Sequence, residues 1–240
     1  GDGYLVDAGS QHSASHLFVA SGKSEVRNMR RGPGLHDNMV GLKRYARLPP
    51  GRTPDATIDI VLFPGGYCGI QPVEGQRLNV CLAVAARALK EGGGPGLVFE
   101  LVRRASQEAA TLLKDTTWDG PSLAVGRVPY GFIRTRTDGP FFLGDQAAVI
   151  PSFCGEGMGL ALRSGVMAAE AHLAGKRAAA YQREFASLVG RRVRGTGFLS
   201  RALCNPRWQP AAVALASRAP WLIQRVSAHL RTPLPAASTL

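Results

Sequence analysis

The chain has 240 residues, of which 45% are hydrophobic and 19% charged; this suits one large or two modest folded domains and excludes a disordered tail or a fibre. No run approaches the roughly eighteen apolar residues of a membrane-spanning helix, and no basic-then-apolar leader opens the sequence. Lys and Arg number 29 against 17 Asp and Glu, a net charge of +12, and the segment Ala171 to Leu240 carries most of it with Glu184 as its sole acid.

Taken in chain order, Tyr4 to Val6 and His16 to Ala20 predict two short strands linked by the turn-rich Ala8-Gly9-Ser10, a hairpin or meander. The second runs into Ser21-Gly22-Lys23, small residues that let a backbone or ligand approach. Gly32 to Pro54 is turn-rich around a strand from Val40 to Leu48. Ile58 to Phe63, Tyr67 to Pro72 and Arg77 to Val84 then read as consecutive strands joined by Gly-rich turns, hence an antiparallel sheet. A helix is expected over Pro95 to Leu113 and a returning strand over Leu123 to Pro129. Phe141 to Leu143 is a brief buried strand closed by Gly144-Asp145, and a long helix from near Gly155 to about Ala174 follows a Pro- and Gly-bearing loop. The remainder reads as two or three helices broken at Gly195, Pro206, Pro210 and Pro220.

The chemistry-bearing stretch is the strand that delivers Asp145, followed by the alternating Gly155, Gly157 and Gly159 at a helix start. Unpaired N–H groups and the partial positive charge of a helix N-terminus suit a ligand that becomes anionic, and glycines let it lie directly on them. A close-packed strand–turn–helix with no ligand explains the same spacing equally well. Cys68, Cys81, Cys154 and Cys204 form no C-x-x-C pair, and the five histidines (His12, His16, His36, His172, His229) show no ligand spacing, so no metal is expected. No Gly-x-Ser-x-Gly element supports nucleophilic hydrolysis.

Gly144-Asp145, Pro151 and Gly155-Glu156-Gly157-Met158-Gly159 together resemble the last FAD-contacting motif of the flavoprotein hydroxylase, geranylgeranyl reductase and flavin-dependent halogenase superfamily. Phe63 to Glu74 with Asn79-Val80-Cys81 resembles the substrate sheet of its reductase-like branch, and Ala20-Ser21-Gly22-Lys23 resembles a strand-ending turn of the FAD domain. The resemblance runs from Leu17 to Leu203. It implies an α/β, p-hydroxybenzoate hydroxylase-like FAD-binding fold, incomplete at the N-terminus, with an inserted antiparallel substrate sheet and a basic C-terminal helical tail. FAD would be held by Gly22, Gly144, Asp145, Gly155, Gly157, Met158 and Gly159, with Asp145 on the ribityl or pyrophosphate part and the helix start at the flavin N1–O2 edge. Phe63, Tyr67, Gln71 and Cys154 are the expected pocket residues, although Cys154 also suits a buried gap-filler and Tyr67 and Gln71 plain packing. Glu156 suits the helix dipole, or a proton donor near the flavin.

Two features depart from the superfamily. No strand–Gly-x-Gly-x-x-Gly–helix unit is present, which implies that an amino-terminal dinucleotide-binding segment is missing. Ser164-Gly165 stands where aromatic hydroxylases carry Asp-Ala, which leans toward the reductase-like branch. The expected organisation is residues 1–36 and 136–177 in the FAD domain, 37–135 in the substrate domain and 178–240 in the tail. The expected function is an FAD-dependent oxidoreductase, reductase or monooxygenase, acting on an apolar or aromatic secondary-metabolite or isoprenoid-like substrate, free or carrier-bound, with NAD(P)H as electron donor. The alternative is a non-catalytic binding or interaction module without flavin. A cytoplasmic location is expected; the Trp- and Arg-bearing helices after residue 206 suit either covering a core or lying on a membrane surface. Lack of aromatic interleaving or helix-turn-helix spacing argues against nucleic acid.

Overall fold

The computed structural model describes residues 3–7 and 9–230, apart from the side chains of residues 223, 226, 227, 229 and 230. Ala8 of the expected first turn, the apolar side chains of Ile223, Val226 and Leu230, His229, and the tail from Arg231 onward therefore lie outside the described residues. In chain order the strands are β1 (Tyr4–Asp7), β2 (Gln11–Ala14), β3 (Phe18–Val19), β4 (His36–Arg47), β5 (Asp59–Phe63), β6 (Gly66–Val73), β7 (Arg77–Ala85), β8 (Thr117–Tyr130) and β9 (Phe141–Phe142). The helices are α1 (Ala86–Glu91), α2 (Pro95–Ala105), α3 (Gln107–Leu112), α4 (Gly157–Leu173), α5 (Ala178–Leu203), α6 (Gln209–Arg218) and α7 (Pro220–Leu230). Among the described residues two compact units result: residues 3–7 and 9–35 with 130–197, and residues 36–129 with 198–229.

In the first unit the opening hairpin differs from the expected one. β1 pairs with β2, Tyr4 opposite Ala14 and Asp7 opposite Gln11, where the Asp7 carboxylate accepts the Gly9 N–H at 3.3 Å. The His16 to Ala20 strand shrinks to β3, which pairs in parallel with β9 (Phe18 with Phe141, Val19 with Phe142). A nearer partner, Gln11 to Ala14, satisfies β1 at lower loop-closure cost. Val19, Phe141 and Phe142 join Leu160 and Ala168 of α4 and Tyr181, Phe185, Val189 and Val193 of α5 in one buried core. The Tyr181 hydroxyl donates to the Phe142 carbonyl at 3.0 Å, tying α5 to the strand that leads into the site.

The second unit is built on a five-stranded sheet of order β5-β6-β7-β4-β8, antiparallel through β5, β6, β7 and β4. Val61, Phe63, Cys68, Ile70, Val80 and Leu82 form one face and pack on Val98, Phe99 and Val102 of α2. Tyr67, Gln71, Asn79 and Cys81 occupy the alternate positions of the opposite face.

Three boundaries need correction. The single helix expected over Pro95 to Leu113 is two, because Ser106 turns extended (φ −149°, ψ 156°) and its hydroxyl caps α3 by accepting the Ala109 N–H at 3.0 Å. α5 runs unbroken through Gly195, whose helix-breaking cost of about 1 kcal/mol is small beside the burial of Val193 and Thr196 on either side. Pro210 lies in the first turn of α6, where its missing N–H costs nothing, and so does not break a helix. The short α1 was not expected at all.

Candidate functional site

β3 and β9 are parallel, so both deliver their carboxyl ends to the same side of the first unit. Beyond β3 lie Ala20 to Lys23; beyond β9, Leu143 leads into a one-turn 3-10 helix, Gly144–Gln146. These two ends and the start of α4 surround a cavity of about 520 Å³, within the range of small-molecule sites. Six of the seven expected cofactor residues (Gly22, Gly144, Asp145, Gly155, Gly157 and Met158) line it; Gly159 does not, although it lies in the same helical turn.

The glycines serve different purposes. Gly144 has φ +52°, and a Cβ there would stand 3.3 Å from the Ala161 Cβ, so this glycine is required by the close approach of α4. Its N–H donates to the buried Ser164 hydroxyl at 2.8 Å, and that hydroxyl donates to the Ala161 carbonyl at 2.7 Å. At Gly22, Gly155, Gly157 and Gly165, in contrast, no atom lies within 4 Å of where a Cβ would be. Their missing side chains leave open space. Gly157, Ala161 and Gly165 recur every four residues, which puts a stripe of small residues along the cavity-lining side of α4.

Electrostatics favour a polar or anionic group at the helix end. Glu156 precedes α4 with αR backbone angles and makes no side-chain cap bond. The first turn carries the N–H donors and partial positive charge of a helix start. Asp145 lies partly buried at the wall: burial pushes its carboxyl pKa up, and the Lys23 and Arg31 charges pull it back. Its carboxylate can accept hydrogen bonds from hydroxyl groups.

A polar clasp, invisible in the motifs, holds the loop after β3. Arg31, its side chain 1% exposed, pairs with Glu25 at 2.8 Å and donates to the Lys23 carbonyl at 2.5 Å and the Asp145 carbonyl at 3.3 Å. The buried Gln146 amide donates to the carbonyls of Gly22 and Ser24 at 2.9 and 2.7 Å. Arg134 donates to the carbonyls of Gln146 and Met29 at 3.1 and 3.2 Å, and its guanidinium stacks 3.9 Å from the Phe142 ring centroid. Burial lowers the Arg134 pKa, the Glu25 carboxylate opposing and Arg31 adding to the effect. Lys23, Ile150, Ser152 and Gly165 also line the cavity and were missed; the four-residue spacing from Gly157 could have found Gly165.

The expected pocket residues separate. Phe63 points into the helix-covered core of the second unit and is fully buried, whereas Tyr67 and Gln71 lie on the other face of that sheet. Cys154 ends a one-turn 3-10 helix and packs against the first unit's core; burial, helped by the Glu156 charge, pushes its thiol up to about 12. It is a protonated, gap-filling thiol at neutral pH.

No protein-family model matches the sequence, and no curated protein does. Solved structures do match. The flavin-dependent brominase Bmp2 superposes with a TM-score of 0.69 at 17% identity over 95% of this chain and 60% of its own. The myxobacterial chondrochloren halogenase CndH gives 0.59 at 20% identity over 92% and 57%, and HpxO of Klebsiella pneumoniae, complexed with FAD and uric acid, 0.56 at 14% over 92% and 61%. The fold is that of the flavin-dependent halogenases. The chain spans about 60% of the length of these flavoproteins. Within the described residues of this flavoprotein fold, no helix is long and apolar enough to cross a membrane, and no group of three or more His, Cys, Asp or Glu could hold a metal ion.

Proposed function

We propose that the glycine cavity holds the isoalloxazine end of FAD and that the chain serves an FAD-dependent oxidoreductase, reductase or monooxygenase, acting on an apolar or aromatic substrate. One observation carries this reading: four glycines with open space at their missing Cβ share a cavity with Asp145 and the start of α4. The likeness to flavoprotein folds supports it. Bound flavin would supply the two-electron chemistry, with NAD(P)H as the proposed donor. The protein's part is placement and charge. The amides of Gly157, Met158 and Gly159 stabilise negative charge at the helix start, and Asp145 accepts hydrogen bonds from ribityl or ribose hydroxyls. The sheet face bearing Tyr67 and Gln71 is the proposed substrate wall, with the half-buried Gln71 as its polar group.

The test is FAD titration of the purified chain, read by retained flavin absorbance after ultrafiltration. Retention that Asp145→Ala weakens about tenfold, the loss of one charged hydrogen-bond acceptor, supports the reading. No retention by a folded chain favours the second reading, an interaction module without flavin.

We also propose that α6 and α7 rest on an anionic membrane surface. Trp208, Val213, Leu215 and Trp221 are exposed beside Arg207, Arg218 and Arg225, and no acid intervenes. Flotation with phosphatidylglycerol vesicles at low salt, lost at high salt, is expected; no flotation at low salt removes this contact.

A further inference from the structure

A second cavity of the first unit, about 450 Å³, shares no residue with the glycine cavity. Ile133 and Thr135 line one side; Arg183, Ser187, Arg191 and Arg194 of α5 line the other. The spacings of four, eight and eleven residues from Arg183 put all four on one stripe of the helix. Three arginines thus line one depression. Among the described residues, none of the three is ion-paired with a carboxylate; Glu184, the sole acid of this segment, is paired with Lys176 at 3.7 Å. The Arg194 guanidinium lies back against the helix over Gly190, where a Cβ would stand 3.2 Å from Nη2 and 3.5 Å from Nη1. A glycine in the helix interior costs about 1 kcal/mol, and here its missing side chain leaves room for the Arg194 guanidinium.

Like charges on one helical stripe repel, and a multiply charged oxyanion relieves that repulsion while filling several guanidinium donors at once. The Thr135 and Ser187 hydroxyls add neutral donors. We propose that this cleft binds a phosphate ester or diphosphate. The inference does not rest on flavin binding.

Calorimetric titration of the 240-residue chain with inorganic pyrophosphate, at constant ionic strength, tests it. Saturable binding is expected, weakened about tenfold or more in Arg191→Gln/Arg194→Gln, as losing charge-assisted bonds requires. Arg103→Gln/Arg104→Gln removes equal charge on the exposed side of α2 and is expected to leave the affinity unchanged. Glycerol 3-phosphate, a soluble lipid headgroup, distinguishes the source: affinity equal to that of pyrophosphate assigns a headgroup monoester, and much weaker affinity a diphosphate chain. No saturable binding of either compound overturns the proposal. So does equal weakening by the two arginine pairs, since diffuse attraction would then account for the binding.

Discussion

Leucine in place of Gly157 is expected to weaken FAD retention about a hundredfold while leaving thermal unfolding unchanged or slightly later. No atom lies within 4 Å of where the Gly157 Cβ would be, so the folded chain itself has room for a side chain. Leucine also has the better helix propensity by almost 1 kcal/mol, although the first helical position realises only part of that. What the side chain would fill is the cavity. Overfilling a packed site costs about 1–3 kcal/mol, and the upper end of that range corresponds to a hundredfold in affinity. Gly155 is the poorer test, because its φ of +69° would strain any replacement and confound fold with site. Retention and unfolding temperature measured on the same Gly157→Leu preparation separate the two effects. Unchanged retention by a folded variant would mean that the cavity is not where the ring lies.

The second large effect falls on stability. Arg31→Ala is expected to destabilise the chain by about 3 kcal/mol in denaturant titration. Its side chain is 1% exposed and engages the Glu25 carboxylate and the Lys23 and Asp145 carbonyls, all acceptors that the substitution would strip of a donor. The cost stays below that of a fully buried pair, because the Glu25 side chain is 40% exposed and can regain water. Acid has the same target. Burial pulls the Glu25 carboxyl up, but hydrogen bonds and charge from Arg31, with the Arg134 charge, carry it below the ordinary carboxylate range. The stabilisation this confers is fully present above the ordinary carboxylate pKa and is lost as pH falls through the lowered folded value. Wild-type stability should thus fall on that acid limb, and Arg31→Ala should flatten it. An unfolding free energy within 0.5 kcal/mol of wild type, the ordinary scatter of surface substitutions, would show that the clasp does not hold the loop.

The site was legible where glycine, aspartate and short apolar runs coincide. Phe141 to Leu143, Gly144-Asp145 and the glycines opening α4 each carry a local signal, and their elements lie where that signal put them. What holds the loop after β3 carries none. Arg31, Arg134 and Gln146 match no local pattern, and only the meeting of segments more than a hundred residues apart makes them donors to this loop. Pairing choice was equally hidden: the polar Gln11 to Ala14 carries no strand pattern, yet it is the partner of β1, and the parallel match of β3 to β9 depends on contacts that no short window contains. The faces of the second unit's sheet follow from a period of two, yet Phe63 and Tyr67 lie on either side of a tight turn, where that count is interrupted. Gly65, at φ +81° in that turn, explains the interruption.

The parallel match of β3 to β9 also bears on synthesis. Phe18 and Val19 leave the ribosome long before Phe141 and Phe142 exist, and the whole five-stranded sheet is translated in between. Hairpin-linked strands such as β5, β6 and β7 close short loops and can collapse as they emerge, whereas the long closure must wait. Vectorial release therefore favours an order in which the inserted sheet matures first and the cavity walls assemble last, with a bare parallel strand edge in the nascent chain until they do.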